Sequence, residues 1–395
     1  MGARLNDVRD QARFLLDLGR SDAPVVAYPA RGSTAFLVND PGCAAQVLRR
    51  GAPAYDADRH PYRELTDSYT HHGIEVLGIS GRDPTAAFRE DIAGDLSTAA
   101  SATAERLVER SGGRPVPVLE ALHELLLCCT ARLLFEVDVT RFAATFVPAV
   151  RLLEECWANS VVPDPSMQPL HQDYLHALDA QKQVVDCIAR AAAISAPPAA
   201  ILRTLLNGYH ATATALTWAL WELARNPDAQ ERLRAEVGTV CRGRTPTAAD
   251  TRALHLTRRV VLETLRLHPP AWNIGRTAAE DHELGGMRIP EGGYLSVSPY
   301  VMHRSRRLWS LPDEFVPDRF VAGVAARPPR CSFLPFGAGP RRCPAARHAI
   351  EQLQILLAVF VQRARFREGD VPVRPRGLVG LRPEPDVYLR IVATH

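Results

Sequence analysis

Residues 333–366, FLPFGAGPRRCPAARHAIEQLQILLAVFVQRARF, place Cys343 between a Gly/Pro-rich loop and a long amphipathic helical pattern. The unpaired N–H groups at a helix start favour a thiolate, so this cysteine is suited to be a ligand or a nucleophile. Gly337 and Gly339 let the backbone turn close to a flat object, and Arg341 adds a cation two residues before the sulfur. A cysteine taken alone is more often a buried structural residue.

Composition limits what the rest of the chain can be. The 395 residues are 46% hydrophobic and 23% charged with a net charge of +3, which predicts a globular protein without a nucleic-acid surface. The charged N-terminus resembles neither a signal peptide nor a membrane anchor, so we expect no membrane association and a cytoplasmic location. The eight cysteines form no CxxC pair and no zinc-finger spacing.

Hydrophobic periodicity predicts a mostly-α, single-domain protein spanning residues 1–395 with a minor sheet. Asn226 and Pro227 should end the long central helix, and Asp228 is placed to cap the next one. Helices are predicted over 121–137, 151–161 and 199–225, and strands over 24–30, 35–40, 294–301 and 387–393.

The full spacing Phe336-x-x-Gly339-x-Arg341-x-Cys343 resembles the haem-binding signature of the cytochrome P-450 superfamily. The resemblance implies haem b between the cysteine loop and the long central helix, with Cys343 as the iron ligand. It also implies that Arg341 pairs with a haem propionate and that loop amides hydrogen-bond the sulfur. Ala345 replaces the glycine that the family commonly has two residues after the cysteine.

A second segment, VVLETLRLHPPAWNIGRTA (260–278), resembles the family's ExxR motif through Glu263 and Arg266. An i,i+3 ion pair considered alone is usually a solvated surface contact. With Arg319, in PDRF downstream, the resemblance implies a buried network that holds the loops behind the haem. Arg276 matches a position that commonly binds a propionate.

The stretch LLNGYHATATALTWAL (205–220) resembles the family's central helix. That helix usually carries a small residue, a glycine, a variable residue, an acid and a threonine in sequence. Here the corresponding residues are Asn207, Gly208, Tyr209, His210 and Ala211, so the acid and the alcohol that deliver protons in the family are both absent.

His210 therefore has two interpretations. It either turns away and hydrogen-bonds a neighbouring loop, or it serves as a proton donor or substrate anchor near neutral pH. Asn207, one turn before Ala211, should face the same side and could bind a polar substrate or an iron ligand.

Toward the N-terminus the resemblance weakens. In GISGRDPTAAFREDI (78–92) the best match to a propionate-binding pair is Thr85 with Arg89, so Arg89 is a candidate cofactor contact and its usual aromatic or histidine companion is missing.

Three function classes remain. The first is a bacterial haem-thiolate monooxygenase of secondary or antibiotic metabolism, monomeric, fed by a ferredoxin and its reductase and acting on a small molecule. The second is a haem-thiolate enzyme outside the O₂ cycle: a peroxygenase, an isomerase or dehydratase, or a catalyst of ring closure or coupling. The third is a haem-free relative that binds a glycosyltransferase, a class that characteristically lacks the axial cysteine.

Overall fold

The structure is a computed structural model of the 395-residue chain. It describes residues 10–30, 33–50, 55–56, 90–158, 163, 165–194, 196–321 and 329–394. Of the helices within these ranges, none combines the length and the apolar character that a membrane crossing requires.

Helices make up most of the described chain. Within the described ranges they are α1 (Gln11–Leu18), α2 (Pro41–Ala45), α3 (Glu90–Ser111), α4 (Leu119–Phe135), α5 (Thr140–Ala158), α6 (Leu170–Ala191), α7 (Pro198–Arg225), α8 (Pro227–Cys241), α9 (His255–Leu267), α10 (Pro299–Met302) and α11 (Ala346–Arg363). Short 3-10 helices cover Ala248–Arg252, Pro317–Phe320 and Gly339–Arg341, and a π-helix covers Gln46–Arg50.

The strands are short. Those in the described ranges are β1 (Val25–Ala30), β2 (Ser33–Val38), β3 (Tyr55–Asp56), β4 (Pro115–Pro117), β5 (Ile274–Ala278), β6 (His282–Leu284), β7 (Met287–Ile289), β8 (Tyr294–Val297), β9 (Ala364–Glu368), β10 (Arg374–Gly377), β11 (Leu381–Glu384) and β12 (Tyr388–Ala393). The predicted mostly-α architecture with a minor sheet is confirmed.

The described residues form two compact units. The first draws on the ranges Met1–Asp67, Leu262–Ala346 and Pro375–Arg382, and the second on Ser68–Val261, Arg347–Arg374 and Pro383–His395. The single domain expected over residues 1–395 remains a prediction.

A five-stranded sheet organises the first unit, in the order β1-β2-β8-β5-β3. β2 and β8 are parallel and the other neighbours are antiparallel. Apolar side chains of these strands, among them Val38, Leu295 and Val297, form a core together with Ile289 of β7. Cys331 and Leu334 pack in the same core, so the sheet supports the start of the segment that leads to Cys343.

The second unit is built around α7, which is buried almost continuously from Thr212 to Ala224. Proline stands at its first position after Pro197, and it ends at Asn226 because Pro227 cannot continue its hydrogen-bond ladder. An antiparallel sheet of order β4-β12-β9 completes the unit.

Two local predictions were wrong. Asn226, not Asp228, occupies the N-cap position of α8 and makes no side-chain cap; Asp228 lies in the first turn, because Pro227 takes the first helical position. The strand predicted over 294–301 ends at Val297, since Ser298 caps α10 by accepting a hydrogen bond from the Val301 N–H.

Candidate functional site

The cysteine loop, residues 333–343 of the first unit, folds back on itself. The Cys343 N–H donates to the Phe336 carbonyl over 2.9 Å, and the Gly337 N–H donates to the Leu334 carbonyl over 3.0 Å. Gly337 and Gly339 have φ angles of 69° and 76°, in the left-handed region that glycine enters at no steric cost. The sequence folds this way because both residues that must adopt a positive φ are glycines.

Gly339 is fixed by a close backbone crossing as well as by its φ angle. A Cβ atom at this position would lie 1.8 Å from the Leu48 carbonyl oxygen and 3.1 Å from the Arg49 Cα. No side chain can occupy that space, so any other residue would displace the loop. Phe336 is half-buried, and Arg341 is exposed in the 3-10 helix that precedes the cysteine.

The Cys343 side chain is exposed, and a backbone hydrogen bond from Ala345 reaches its sulfur. All eight cysteines lie in the described part of the chain, and of them Cys343 alone is exposed. Burial of the sulfur on its protein side raises the pKa of the thiol, and a hydrogen bond from the Ala345 backbone partly opposes this. A coordinated iron ion removes the proton outright, so this donor set fits the haem iron that the resemblance implies.

Glu263 and Arg266 form a fully buried ion pair on α9. The Arg266 Nε and Nη2 atoms donate to the two carboxylate oxygens of Glu263, each over 2.8 Å, and both side chains are 0% exposed. Arg319 adds a third member, because its Nε donates to Glu263 Oε1 over 2.9 Å. The structure therefore brings together the three residues that sequence analysis grouped.

Main-chain carbonyls satisfy the remaining donors of Arg266. Its Nη1 donates to the carbonyls of His303 and Pro312, and its Nη2 also donates to that of Glu314. All five guanidinium N–H groups thus have acceptors, which makes burial of the charge tolerable. Glu263 also accepts from the Val316 N–H over 2.8 Å, so the pair organises residues 303–316.

His303 is a site residue that sequence analysis missed. Its Nδ1 lies 3.0 Å from the Arg266 carbonyl, and its Nε2 accepts from the Leu334 N–H over 2.7 Å. These partners fix the neutral tautomer with the proton on Nδ1. Burial lowers the pKa of His303 to about 3, so the ring stays neutral and links α9 to the cysteine loop. The only sequence signal was a histidine two residues after the strand predicted over 294–301.

The other predicted cofactor contacts are less fully described. Arg276 lies on β5, partly buried, and its Nη1 donates to the neighbouring Gly275 carbonyl over 2.7 Å. Arg89, with Thr85, lies outside the described residues. Its assignment as a cofactor contact remains a prediction.

Asn207 and Ala211 lie on one exposed side of α7, four residues apart. Tyr209 points the other way and is fully buried. Gly208 packs against α4, where an added Cβ would lie 2.6 Å from Thr130 Cγ2. The family's glycine is therefore required here by helix packing, while the exposed side of the helix presents an amide and a methyl group.

His210 is paired inside the second unit. Its Nε2 lies 3.2 Å from Glu154 Oε1 on α5, and its side chain is only 12% exposed. The His123 ring of α4 meets it edge-on at 4.9 Å. Burial lowers the pKa of His210, but the nearby Glu154 carboxylate outweighs burial, and the net shift is upward. The partner is thus an acid on a helix, where sequence analysis had considered a loop.

Nearby hydroxyl groups do not replace the missing alcohol on the exposed side. Thr212 and Thr214 are both buried, and Thr214 Oγ1 lies 3.5 Å from His123 Nε2. Sequence analysis could place Thr212 off the Ala211 face by helical geometry, but it could not identify Glu154 or His123 as neighbours of His210.

The mostly helical chain thus contains the exposed-cysteine loop and the buried Glu–Arg–Arg network that the resemblance to haem-thiolate proteins implies. The family model described as Cytochrome P450 matches residues 198–390. By fold, the chain resembles the heme domain of cytochrome P450DA, with a TM-score of 0.82 and 20% identity over 98% of this chain and 94% of that one. Residues 198–390 thus carry the pattern of the cytochrome P450 family, and the cofactor of that family is haem b.

Two curated relatives come from Streptomyces melanosporofaciens. Cyclooctatin synthase is 42% identical over 186 residues, which are 47% of this chain and 40% of that protein. Cyclooctat-9-en-7-ol 5-monooxygenase is 28% identical over 289 residues, 65% of this chain and 62% of that protein. The matched part of the chain thus spans less than two thirds of either relative.

Proposed function

We propose that this chain is a haem-thiolate monooxygenase that inserts one oxygen atom from O₂ into a small-molecule intermediate of bacterial secondary metabolism. The observation that carries this proposal is the exposed Cys343 thiol in a loop whose position is fixed by His303 and the buried Glu263–Arg266 pair. Burying the Glu263–Arg266 ion pair costs free energy. That cost is explained if the pair fixes a loop that must hold a metal ligand in one geometry.

The residues have distinct parts in this proposal. Bound haem supplies the activation of oxygen that protein side chains alone cannot provide. Cys343 would hold the iron, and the Ala345 N–H stabilises the sulfur. Arg341 and Arg276 would bind the propionates. Phe336 and Gly339 would shape the loop that carries Cys343.

The substrate class follows from the exposed side of α7. Asn207 presents an amide that can donate to and accept from a substrate hydroxyl, and Ala211 leaves an apolar surface one turn away. The name of one relative specifies an unsaturated alcohol as its substrate. We therefore infer a mainly hydrocarbon substrate that carries one hydroxyl group.

The electrons would come from partner proteins. Cytochrome P450 enzymes normally use redox partners, so a ferredoxin and its reductase are the proposed donors. We further propose that the protein acts as a monomer in the cytoplasm.

A second candidate function is favoured by one observation on α7. Ala211 has no hydrogen-bonding group, and His210 is engaged by Glu154. If no group delivers protons for oxygen activation, the site would suit a haem-thiolate reaction outside the O₂ cycle, such as peroxide use, isomerisation, dehydration, ring closure or coupling. Cys343 argues against the third class, a haem-free partner of a glycosyltransferase.

Isotope labelling separates the candidates. The haem-loaded protein is first titrated with polycyclic hydrocarbons, each with and without a single hydroxyl, and binding is followed in the haem spectrum. Molecules that bind are then incubated under ¹⁸O₂ with a surrogate ferredoxin, its reductase and NADPH. We expect a product that contains one ¹⁸O atom. A product with unchanged mass or loss of water, or one formed only with peroxide, would favour the second candidate.

A further inference from the structure

Glu154 and His210 form a buried acid–base pair that none of the assigned site roles explains. Glu154 is 2% exposed on α5, and its Oε1 lies 3.2 Å from His210 Nε2 on α7. Placing a carboxylate in such an apolar setting is unfavourable unless a cation or hydrogen-bond donor compensates it. The His210 imidazole, when protonated, forms an ion pair with that carboxylate.

The groups around His210 favour its charged form. The titratable side chains that face it in the described part of the chain are Glu154 from α5, His123 from α4 and Tyr209 from α7 itself. His123 and Tyr209 contact it through ring edges, at centroid distances of 4.9 and 6.0 Å. Glu154 is the anion of this set, so removing its charge would leave burial to favour the neutral ring.

The position of His210 on α7 is consistent with a role as a proton donor. His210 occupies the position where the family carries an acid, and it immediately precedes Ala211 on α7. Its side chain keeps 12% of its surface exposed, which allows exchange of a proton with water. A protonated imidazole can donate a proton directly. A carboxylate at the same position could do so only after it had itself taken up a proton.

We propose that Glu154 is a positioning residue that keeps His210 protonated, so that the pair provides the proton donor of this helix in place of the family's acid. The Nδ1–H bond of the imidazolium breaks, its proton passes to a water molecule, and the ring takes up another proton from solvent. Glu154 stays ionised throughout, and no electrons are exchanged. The inference rests on the proposed function.

A titration tests the pair without any catalysis. Histidines are ¹³C-labelled, and spectra of the diamagnetic ferrous carbon monoxide form are recorded against pH. His210→Gln identifies one resonance among the 13 histidines. We expect a His210 pKa above its ordinary 6.5 in wild type, and a lower His210 pKa in Glu154→Gln, where the carboxylate charge is gone.

Asp186→Asn is the matched control, because Asp186 pairs with Lys182 over 2.7 Å in an exposed position on α6. It should leave the His210 titration unchanged. Glu154→Asp, which keeps the charge, should retain most of the upward shift and provides a second variant if Glu154→Gln folds poorly. An identical His210 titration in wild type and Glu154→Gln would overturn the proposal.

The pH profile of product formed per NADPH tests the catalytic part. Activity that needs protonated His210 declines as pH rises through its pKa, so this limb should move to lower pH in Glu154→Gln by the shift that the titration gives. A profile that stays in place while the titration moves would overturn the donor role. If wild type forms no oxygenated product, the proposed function fails alone, and the titration still decides whether Glu154 charges His210.

Discussion

Arg266 and Glu263 face each other through two parallel hydrogen bonds of 2.8 Å, although neither side chain has any exposed surface. The geometry is the fork-to-fork arrangement that makes arginine the preferred partner of a buried carboxylate. The two side chains of this pair also hydrogen-bond four backbone groups of residues 303–316: the carbonyls of His303, Pro312 and Glu314 and the N–H of Val316. Its main effect is therefore to fix loops, since buried pairs add little net stability.

Breaking this pair should prevent haem incorporation. Glu263→Ala or Arg266→Ala leaves one buried charge without its partner, at a cost of about 3–5 kcal/mol. The measurement is haem bound per chain after purification with added haem. Glu351→Ala is the control, because Glu351 pairs over 2.8 Å with Arg347, whose side chain is 83% exposed. Normal haem content in both network variants would contradict the account.

His303 should make the fold sensitive to acid. Its pKa is lowered to about 3 in the folded protein from an ordinary 6.5, so the unfolded chain binds one more proton between these values. The stabilisation is full above pH 6.5 and is lost as pH falls toward 3. His303→Gln removes this linkage, so its unfolding free energy should fall less steeply with decreasing pH, by about 1.4 kcal/mol per pH unit.

Denaturant titrations at several pH values provide that measurement. His176→Gln, at an exposed position on α6, is the control and should parallel wild type. Parallel curves for His303→Gln and wild type below pH 6.5 would show that the ring is not held neutral.

Gly208 should tolerate no side chain while Thr130 keeps its methyl group. Gly208→Ala places a Cβ 2.6 Å from Thr130 Cγ2 and 3.3 Å from Leu134 Cδ1, and such overpacking costs about 1–3 kcal/mol. Thr130→Ala in the same chain should recover part of that loss. Gly238→Ala on α8, where no atom lies within 4 Å, should be neutral or stabilising by up to about 1 kcal/mol. Thermal unfolding of these three variants and of wild type measures the changes in stability.

Restoring the family's acid should harm this chain. His210→Asp would place a second carboxylate beside the buried Glu154, and like charges in a poorly solvated site disfavour ionisation of both. We expect a lower melting temperature, relieved by adding Glu154→Gln. His210→Asp with Ala211→Thr should keep or raise NADPH consumption without raising native product. A several-fold gain in tightly coupled product would show that the chain is an ordinary monooxygenase with a weakened relay.

The cysteine loop and the ExxR pair were predictable because their signals are local. Cys343 stands at a fixed spacing from Gly339, and Glu263 and Arg266 are one helical turn apart. Spacing over so few residues can be read from the sequence without knowing how the helices and strands pack.

Long-range partners carried no such signal. His303 reaches a carbonyl 37 residues away and an amide 31 residues away, and His210 pairs with Glu154 across two helices. No periodicity links these positions, because helix packing brings them together. Asp228 was misassigned for a related reason: proline at the first helical position decided where the helix begins.

The most direct test of the account is the spectrum of the reduced protein under carbon monoxide. Cys343 ligation predicts the red-shifted Soret band of thiolate coordination in wild type, and in Cys187→Ser, where a half-buried cysteine outside the loop is changed. Cys343→Ser should lose that band. A Cys343→Ser protein that keeps the red-shifted band at wild-type intensity would contradict the assignment of the iron ligand and the proposed function that depends on it.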